Sequence, residues 1–125
     1  MIKDLRYALD SKKISAPELL DTYIKKIKDN CALNCFITID YDFSKEQAKL
    51  AQKLIDDGKS SLFTGIPVAV KDNILTKGMK TTCASKMLED FVPDFNATVI
   101  DKLESEGYIL LGKTNMDEFA MGNTS

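Results

Sequence analysis

The chain has 125 residues, of which 44% are hydrophobic and 29% are charged, a balance typical of a soluble globular domain. Its net charge is −2, so the composition gives no electrostatic footprint for nucleic acid or for an anionic membrane. The sequence contains no histidine, which excludes Ser-His-Asp and Cys-His catalysis and the common zinc sites within this chain. Acid–base chemistry here must therefore use Lys, Asp, Glu, Tyr or Cys, or residues outside this chain.

The cysteines and the first residues indicate the compartment. Cys31, Cys35 and Cys83 are too few for a secreted disulfide framework. The Cys31-x3-Cys35 pair lacks further ligands, so we expect no metal site. The start of the chain is too polar for a signal peptide, and no apolar run approaches the ~20 residues needed to cross a bilayer. These features predict a reducing, cytoplasmic location.

The first half of the chain has a helical pattern. We predict a helix over residues 2–12 and a second helix that begins at the capping box formed by Ser15 and Glu18. A third helix is expected to begin near Ser44, where a second capping-box pattern occurs, and to end near Gly58.

Strand patterns become frequent further along the chain. Short strands are predicted at residues 35–39, 66–70 and 108–111. Asn96 is a plausible N-cap for a helix that runs to about Glu106 and separates the last two strands. A strand, a helix and a second strand form a βαβ unit, so these two strands are expected to be parallel neighbours joined by a right-handed crossover.

The fold class that follows is α/β, with a helical part at residues 1–60 and the beginning of an α/β domain at residues 61–125. The sheet should be mixed and largely parallel, and two parallel strands are too few for a complete doubly wound sheet. A further helix is expected to begin at Asn115.

One pattern match suggests nucleotide binding. Residues 107–114 fit the P-loop pattern G-x-x-x-x-G-K-[ST], in which backbone N–H groups hold phosphate. The four residues between Gly107 and Gly112 are strand formers, however, and a helix is predicted before them. A strand is therefore the favoured interpretation, and a nucleotide-binding protein whose function depends on Lys113 is the weaker alternative.

Lys71 is the strongest candidate for chemistry that the residues themselves provide. It directly follows the apolar run at residues 66–70, at the carboxyl end of a strand, where open α/β sheets place their sites. A lysine that is partly withdrawn from water can act as a base, and a Ser-Lys arrangement can replace histidine. The alternative is a strand-end lysine that reaches solvent.

Three segments resemble the motifs of one family. These segments are residues 65–74 (GIPVAVKDNI), 81–86 (TTCASK) and 112–122 (GKTNMDEFAMG). Their sequence and order resemble the amidase signature family, and within it the glutaminase subunits of tRNA-dependent amidotransferases. The resemblance is carried by residues 63–125 and implies an amidase-signature α/β fold.

The resemblance implies a Ser-cisSer-Lys triad, in which Lys71 is the base and a serine nucleophile attacks the side-chain amide of glutamine. It also implies partners: the B and C subunits of the amidotransferase, and Glu-tRNA(Gln) through the complex. No cofactor is expected in this chain, whereas the complex would use ATP and magnesium.

The resemblance further implies that the segment of Met121, Gly122, Asn123 and Thr124 lines the substrate pocket. Asn123 stands where many family members have serine, so we expect a backbone contact there. Both catalytic serines of the family lie beyond residue 125, so we expect this chain to be a fragment that is inactive alone. A non-catalytic interaction module, whose amphipathic first half docks on a partner, is the remaining alternative.

Overall fold

The computed structural model describes residues 1–122. Four helices are present in this part of the chain: α1 (Ile2–Asp10), α2 (Ala16–Asp29), α3 (Tyr41–Asp56) and α4 (Thr98–Ser105). Its three strands are β1 (Phe36–Thr38), β2 (Pro67–Lys71) and β3 (Ile109–Thr114). Of the helices described, none is both long and apolar enough to cross a membrane.

The strands form one mixed sheet in the order β1-β3-β2. Strand β3 is central, and it pairs parallel with β2 and antiparallel with β1. Helix α4 connects β2 to β3. The structure therefore confirms the α/β fold class, the mixed sheet and the parallel pairing of the strands on either side of α4.

The predicted start of α2 is confirmed, whereas that of α3 is wrong. The Ser15 side chain accepts a hydrogen bond from the Glu18 N–H, and the Glu18 carboxylate accepts one from the Ser15 N–H at 2.8 Å. Helix α3 begins at Tyr41, because the carboxylate of Asp40 caps the helix instead. Ser44 lies inside the first turn, and its hydroxyl donates to the carbonyl of Leu110 on β3.

Asn96 does not cap α4 as predicted. Ala97 occupies the N-cap position, and it makes no side-chain cap hydrogen bond. The Asn96 side chain instead accepts from the Lys77 N–H at 2.7 Å and donates to the carboxylates of Asp101 and Glu104. It therefore joins the loop after β2 to the exposed side of α4, a role that the local sequence does not distinguish from capping.

Buried apolar side chains lie on both faces of the sheet. Ile109 and Leu111 pack in the same cluster as residues of α1, α2 and α3, whereas Leu110 packs with Val70 and with Ile100 of α4. Successive residues of a strand point to opposite faces, which explains this alternation. The helices of the first half thus share their core with the sheet. The proposed division at residue 60 stays a prediction.

Gly112 marks an irregularity in the pairing of β3 with β2, and we predict that it does not tolerate a side chain. Its φ is +152°, and a Cβ built on it would lie 2.7 Å from the carbonyl oxygen of Thr38 on β1. Gly112→Ala is therefore expected to lower the free energy of unfolding by about 2 kcal/mol or more, measured by urea unfolding. Gly58→Ala is the matched control, because a Cβ there meets no atom within 4 Å and only backbone strain of about 1–2 kcal/mol remains. Equal losses for the two variants would contradict the close-approach argument.

Candidate active site

The carboxyl ends of the parallel strands meet at one edge of the sheet. Lys71, the last residue of β2, is in register with Thr114, the last residue of β3. The three segments that carry the family resemblance all lie near this edge. Residues 65–74 and 112–122 include the ends of β2 and β3, and residues 81–86 contact Asp72, which follows β2. Ligand sites of α/β sheets lie at this kind of edge.

Lys71 lies on an open face of β2. Ala69 and Lys71 are exposed, whereas Val70 and Asp72, which alternate with them, are buried. Adjacent side chains in a strand point to opposite faces, so the Lys71 side chain is on the face opposite to that of Val70. In the described part of the chain, the Lys71 side chain is exposed to solvent. Its role as a base in a completed site stays a prediction.

Asp72 anchors the end of β2 to the second motif. Its carboxylate accepts hydrogen bonds from the N–H of Thr82, at 3.0 Å, and from the Thr82 hydroxyl. The backbone N–H of Asp72 donates to the Thr114 carbonyl at 3.2 Å, and its own carbonyl accepts from the Cys83 N–H at 3.1 Å. The residue that follows Lys71 is therefore fixed by both its side chain and its main chain.

Lys113 is fully buried within β3, and its contacts exclude the P-loop interpretation. The ammonium donates to the carbonyl of Ile74 and to the hydroxyl of Thr81, both at 2.8 Å, and lies 3.6 Å from the Asp72 carboxylate. The segment that would wrap phosphate is a strand in the sheet. Burial lowers the pKa of Lys113, and the Asp72 carboxylate opposes that effect. The ammonium is thus occupied within the protein.

The second and third motifs contact each other through two hydrogen bonds. The Phe119 N–H donates to the Cys83 carbonyl at 3.0 Å, and the buried Ser85 hydroxyl donates to the Glu118 carboxylate at 2.7 Å. Cys83 and Phe119 both have φ near +50°, as do the residues that follow them. Non-glycine residues in this left-handed region are strained, and clusters of such strain occur at active sites and ligand-binding loops.

The helix predicted to begin at Asn115 does not form within the described residues. A single 3-10 turn covers Glu118–Ala120, and Asp117 precedes it without capping it by a side-chain hydrogen bond. The Glu118 carboxylate accepts a hydrogen bond from the Ser85 hydroxyl, so it holds this turn against the second motif and does not stabilise the start of an α-helix.

The predicted substrate segment is described only in part. Met121 and Gly122 are exposed beside this edge, after the turn that the Glu118 contact holds. Asn123 and Thr124 lie outside the described residues. The contact of this segment with a substrate stays a prediction.

We predict that the Ser85 contact stabilises this pair of loops. Ser85→Ala removes a buried donor to a carboxylate and is expected to lower the free energy of unfolding by about 1 kcal/mol. Ser105→Ala is the control, because its exposed hydroxyl bonds only to a carbonyl of its own helix. The control should change stability by less than about 0.5 kcal/mol. A loss for Ser85→Ala that is no larger than the control's in thermal unfolding would contradict this role.

Sequence reasoning did not identify the partners of Lys113. A lysine inside an apolar strand signals a buried ion pair, because a buried charge needs compensation. Asp72, which directly follows the neighbouring parallel strand, was the available carboxylate. The sequence did not indicate that Thr81 and Thr82 are buried partners of these charges, because buried and exposed threonines have the same local sequence pattern.

The protein has an α/β domain in which three motif segments meet at the carboxyl edge of a parallel strand pair. The family model described as Amidase matches residues 18–125. The chain belongs to the amidase signature family.

The chain is similar to several curated relatives. The A subunit of the glutamyl-tRNA(Gln) amidotransferase of Ruminiclostridium cellulolyticum is 50% identical over 125 residues, which is 99% of this chain and 26% of the relative. The protein of the same name from Thermoanaerobacter pseudethanolicus is 48% identical with the same coverage. The chain thus spans about a quarter of the length of these relatives.

Solved structures show the same fold. The native peptide amidase of Stenotrophomonas maltophilia superposes with a TM-score of 0.89 at 28% identity, over 94% of this chain and 25% of that one. An amidase family protein of Bacillus anthracis gives a TM-score of 0.86 at 32% identity, over 94% of this chain and 24% of that one.

Proposed function

We propose that the protein, at the length of its relatives, is the glutaminase subunit of a glutamyl-tRNA(Gln) amidotransferase. The observation that carries this proposal is the identity of 48–50% with relatives of that name along nearly the whole chain. Identity with the peptide amidase and with the Bacillus anthracis protein is 28–32%. The protein is then an amidase-type enzyme that works in the cytoplasm as part of a larger complex.

Lys71 acts as the base in this proposal. The catalytic serines belong to the part of the protein outside this chain, and the open face of β2 leaves room for that part to pack over Lys71. To act as a base, Lys71 must have a free amine lone pair when the serine attacks. The nucleophilic serine passes its proton to Lys71 through the bridging serine as its oxygen bonds to the glutamine amide carbon. The C–N bond breaks, the proton goes to the departing ammonia, and water then releases glutamate from the acyl-enzyme.

Substrate recognition is proposed for Met121, Gly122, Asn123 and Thr124. The first two follow the turn that is tied to the second motif through Glu118 and Ser85. This tie supports the proposal, because binding groups must be held in place by a rigid surrounding structure.

The partners follow from the proposed complex. Ammonia from glutamine is delivered to the B subunit, which converts ATP-activated Glu-tRNA(Gln) to Gln-tRNA(Gln), and the C subunit completes the assembly. ATP and magnesium are assigned to the complex and not to this chain. The buried contacts of Lys113 support that assignment, because the P-loop-like segment is a strand here.

The proposal is tested by the amide preference of the full-length protein, purified with its partner subunits. We expect ammonia release from glutamine with a kcat/KM about 10-fold or more above that for asparagine, which is one methylene shorter. Peptide amides, the other amide class suggested by a structural neighbour, should react more slowly than glutamine. A preference for peptide amides would contradict the proposal.

One feature favours the interaction-module alternative. An apolar groove of about 540 Å³ lies where α2, β1 and the start of α3 meet, and its lining includes Tyr23, Ile27, Phe36 and Tyr41. A module that functions through this groove would bind its partner equally well after Lys71→Ala and would release no ammonia from glutamine. The glutaminase assay therefore separates the two functions.

A further inference from the structure

A buried polar cluster joins the three motifs beneath the edge that carries Lys71. Its members are Asp72, Thr81, Thr82 and Lys113, with exposed fractions of 0, 1, 5 and 0%. The proposed reaction gives none of them a proton to carry or a substrate to hold. Each is withdrawn from water, and a buried polar or charged group is costly unless it is bonded.

The charges in this cluster are compensated by specific contacts. Lys113 is held by Thr81, by the Ile74 carbonyl and by the charge of Asp72, while the other carboxylate oxygen of Asp72 accepts both bonds from Thr82. A buried ion pair adds little net stability compared with apolar residues of the same volume. Such a pair therefore needs another physical role, and fixing one conformation is the role with the best support elsewhere.

The conformation that the cluster fixes is that of the end of β2. Asp72 adjoins Lys71, and its backbone is bonded to Thr114 on one side and to Cys83 on the other. Asp72 directly follows the last residue of β2, so holding its side chain and its backbone fixes the strand end from which Lys71 projects on the open face. If Asp72 were released, Val70 would be the only buried neighbour of Lys71 left to fix this direction.

We propose that Asp72, Thr82 and Lys113 are positioning residues for Lys71, an inference that rests on the proposed function. They touch neither glutamine nor the nucleophile. They keep the Lys71 amine at the place where it receives the proton. A misplacement of about 1 Å can cost about 100-fold in rate, so loosening the cluster should lower kcat while leaving glutamine binding unchanged.

The test compares two buried threonines in the full-length protein with its partner subunits. Thr82→Val removes the hydroxyl that donates to Asp72 and keeps the shape of the side chain. Thr64→Val is the matched control, because Thr64 is also buried and hydrogen-bonded, but to Ser61 and the Glu106 carbonyl, away from the cluster. Both variants are assayed for ammonia release from glutamine at a temperature at which circular dichroism shows each to be folded.

We expect Thr82→Val to lower kcat by about 10- to 100-fold, with KM within about twofold of the wild type. Thr82→Ser keeps the hydroxyl and should restore most of kcat, whereas Thr64→Val should leave kcat unchanged. A folded Thr82→Val protein with wild-type kcat, in an enzyme that needs Lys71, would overturn the positioning role alone. A wild type that releases no ammonia from glutamine, or that does so without Lys71, would overturn the proposed function and the positioning role together.

Discussion

Lys71→Arg in the full-length protein is expected to reduce ammonia release from glutamine by about 10²- to 10⁴-fold, the range that general-base catalysis contributes. Arginine stays protonated near neutral pH, so it keeps the positive charge and the length of the side chain but cannot accept the serine proton. Lys71→Ala should cause a similar loss. Lys71 belongs to neither hydrophobic cluster of the described residues, so neither substitution should prevent folding. Steady-state assays of kcat, with circular dichroism of each variant, measure both effects.

Lys77→Arg is the matched control for this experiment. Lys77 is an exposed lysine in the loop after β2, six positions beyond Lys71, and it contacts Asn96 through its backbone N–H. The same substitution there should leave ammonia release unchanged. Near-wild-type turnover by the Lys71→Arg protein would show that Lys71 is not the base.

The second large effect is expected in stability. Lys113→Met removes the buried ammonium and leaves the Asp72 carboxylate without its counter-charge at 0% exposure. Breaking one partner of a buried pair costs about 3–5 kcal/mol, so we expect a loss of that size in urea unfolding of the full-length protein.

A double variant shows whether the loss of stability in Lys113→Met comes from the uncompensated charge or from altered packing. Asp72→Asn combined with Lys113→Met removes both charges, so it should be more stable than Lys113→Met alone. If the double variant were the less stable of the two, uncompensated charge would not be the cause of the loss. A Lys113→Met protein within about 1 kcal/mol of the wild type would contradict the ion pair itself.

Local sequence predicts those parts of the fold that local chemistry determines. The capping box of Ser15 and Glu18 is confirmed. It could be predicted because both hydrogen bonds form within four consecutive residues. The parallel pairing of β2 and β3 is also confirmed. It could be predicted because two apolar runs separated by a helix have few other ways to bury their surfaces.

The wrong predictions concern polar residues whose partners are distant in sequence. Ser44 and Asn96 both have the composition of an N-cap, but their side chains bond to residues elsewhere in the fold. For Ser44, the chain offered Asp40 as a competing cap four residues earlier. A single sequence cannot rank such competitors, because the ranking depends on the distant bond that the other residue gains.

In the candidate site too, the features set by local sequence were predicted and those set by distant contacts were not. The position of Lys71 at the end of a strand could be predicted from the sequence, because the strand pattern is local. Its place at the ligand-binding edge follows from a general rule for α/β sheets. The cluster beneath it could not be predicted, because Asp72 and Lys113 are 41 positions apart and meet only when the parallel register is known. The family resemblance indicated that the three motifs serve one site. The fold explains why they are neighbours in space.

The central claim, that the protein supplies ammonia for tRNA-dependent amidation, is tested most directly by following the nitrogen. The full-length protein, assembled with its partner subunits, is given glutamine labelled with ¹⁵N in the side-chain amide, together with ATP, magnesium and Glu-tRNA(Gln). We expect the label in the amide of Gln-tRNA(Gln) with the wild type and its loss with Lys71→Arg, while added ammonium salt restores amidation by the variant. Release of labelled ammonia without any transfer to the tRNA-bound glutamate, or transfer that is unchanged in the variant, would contradict this account.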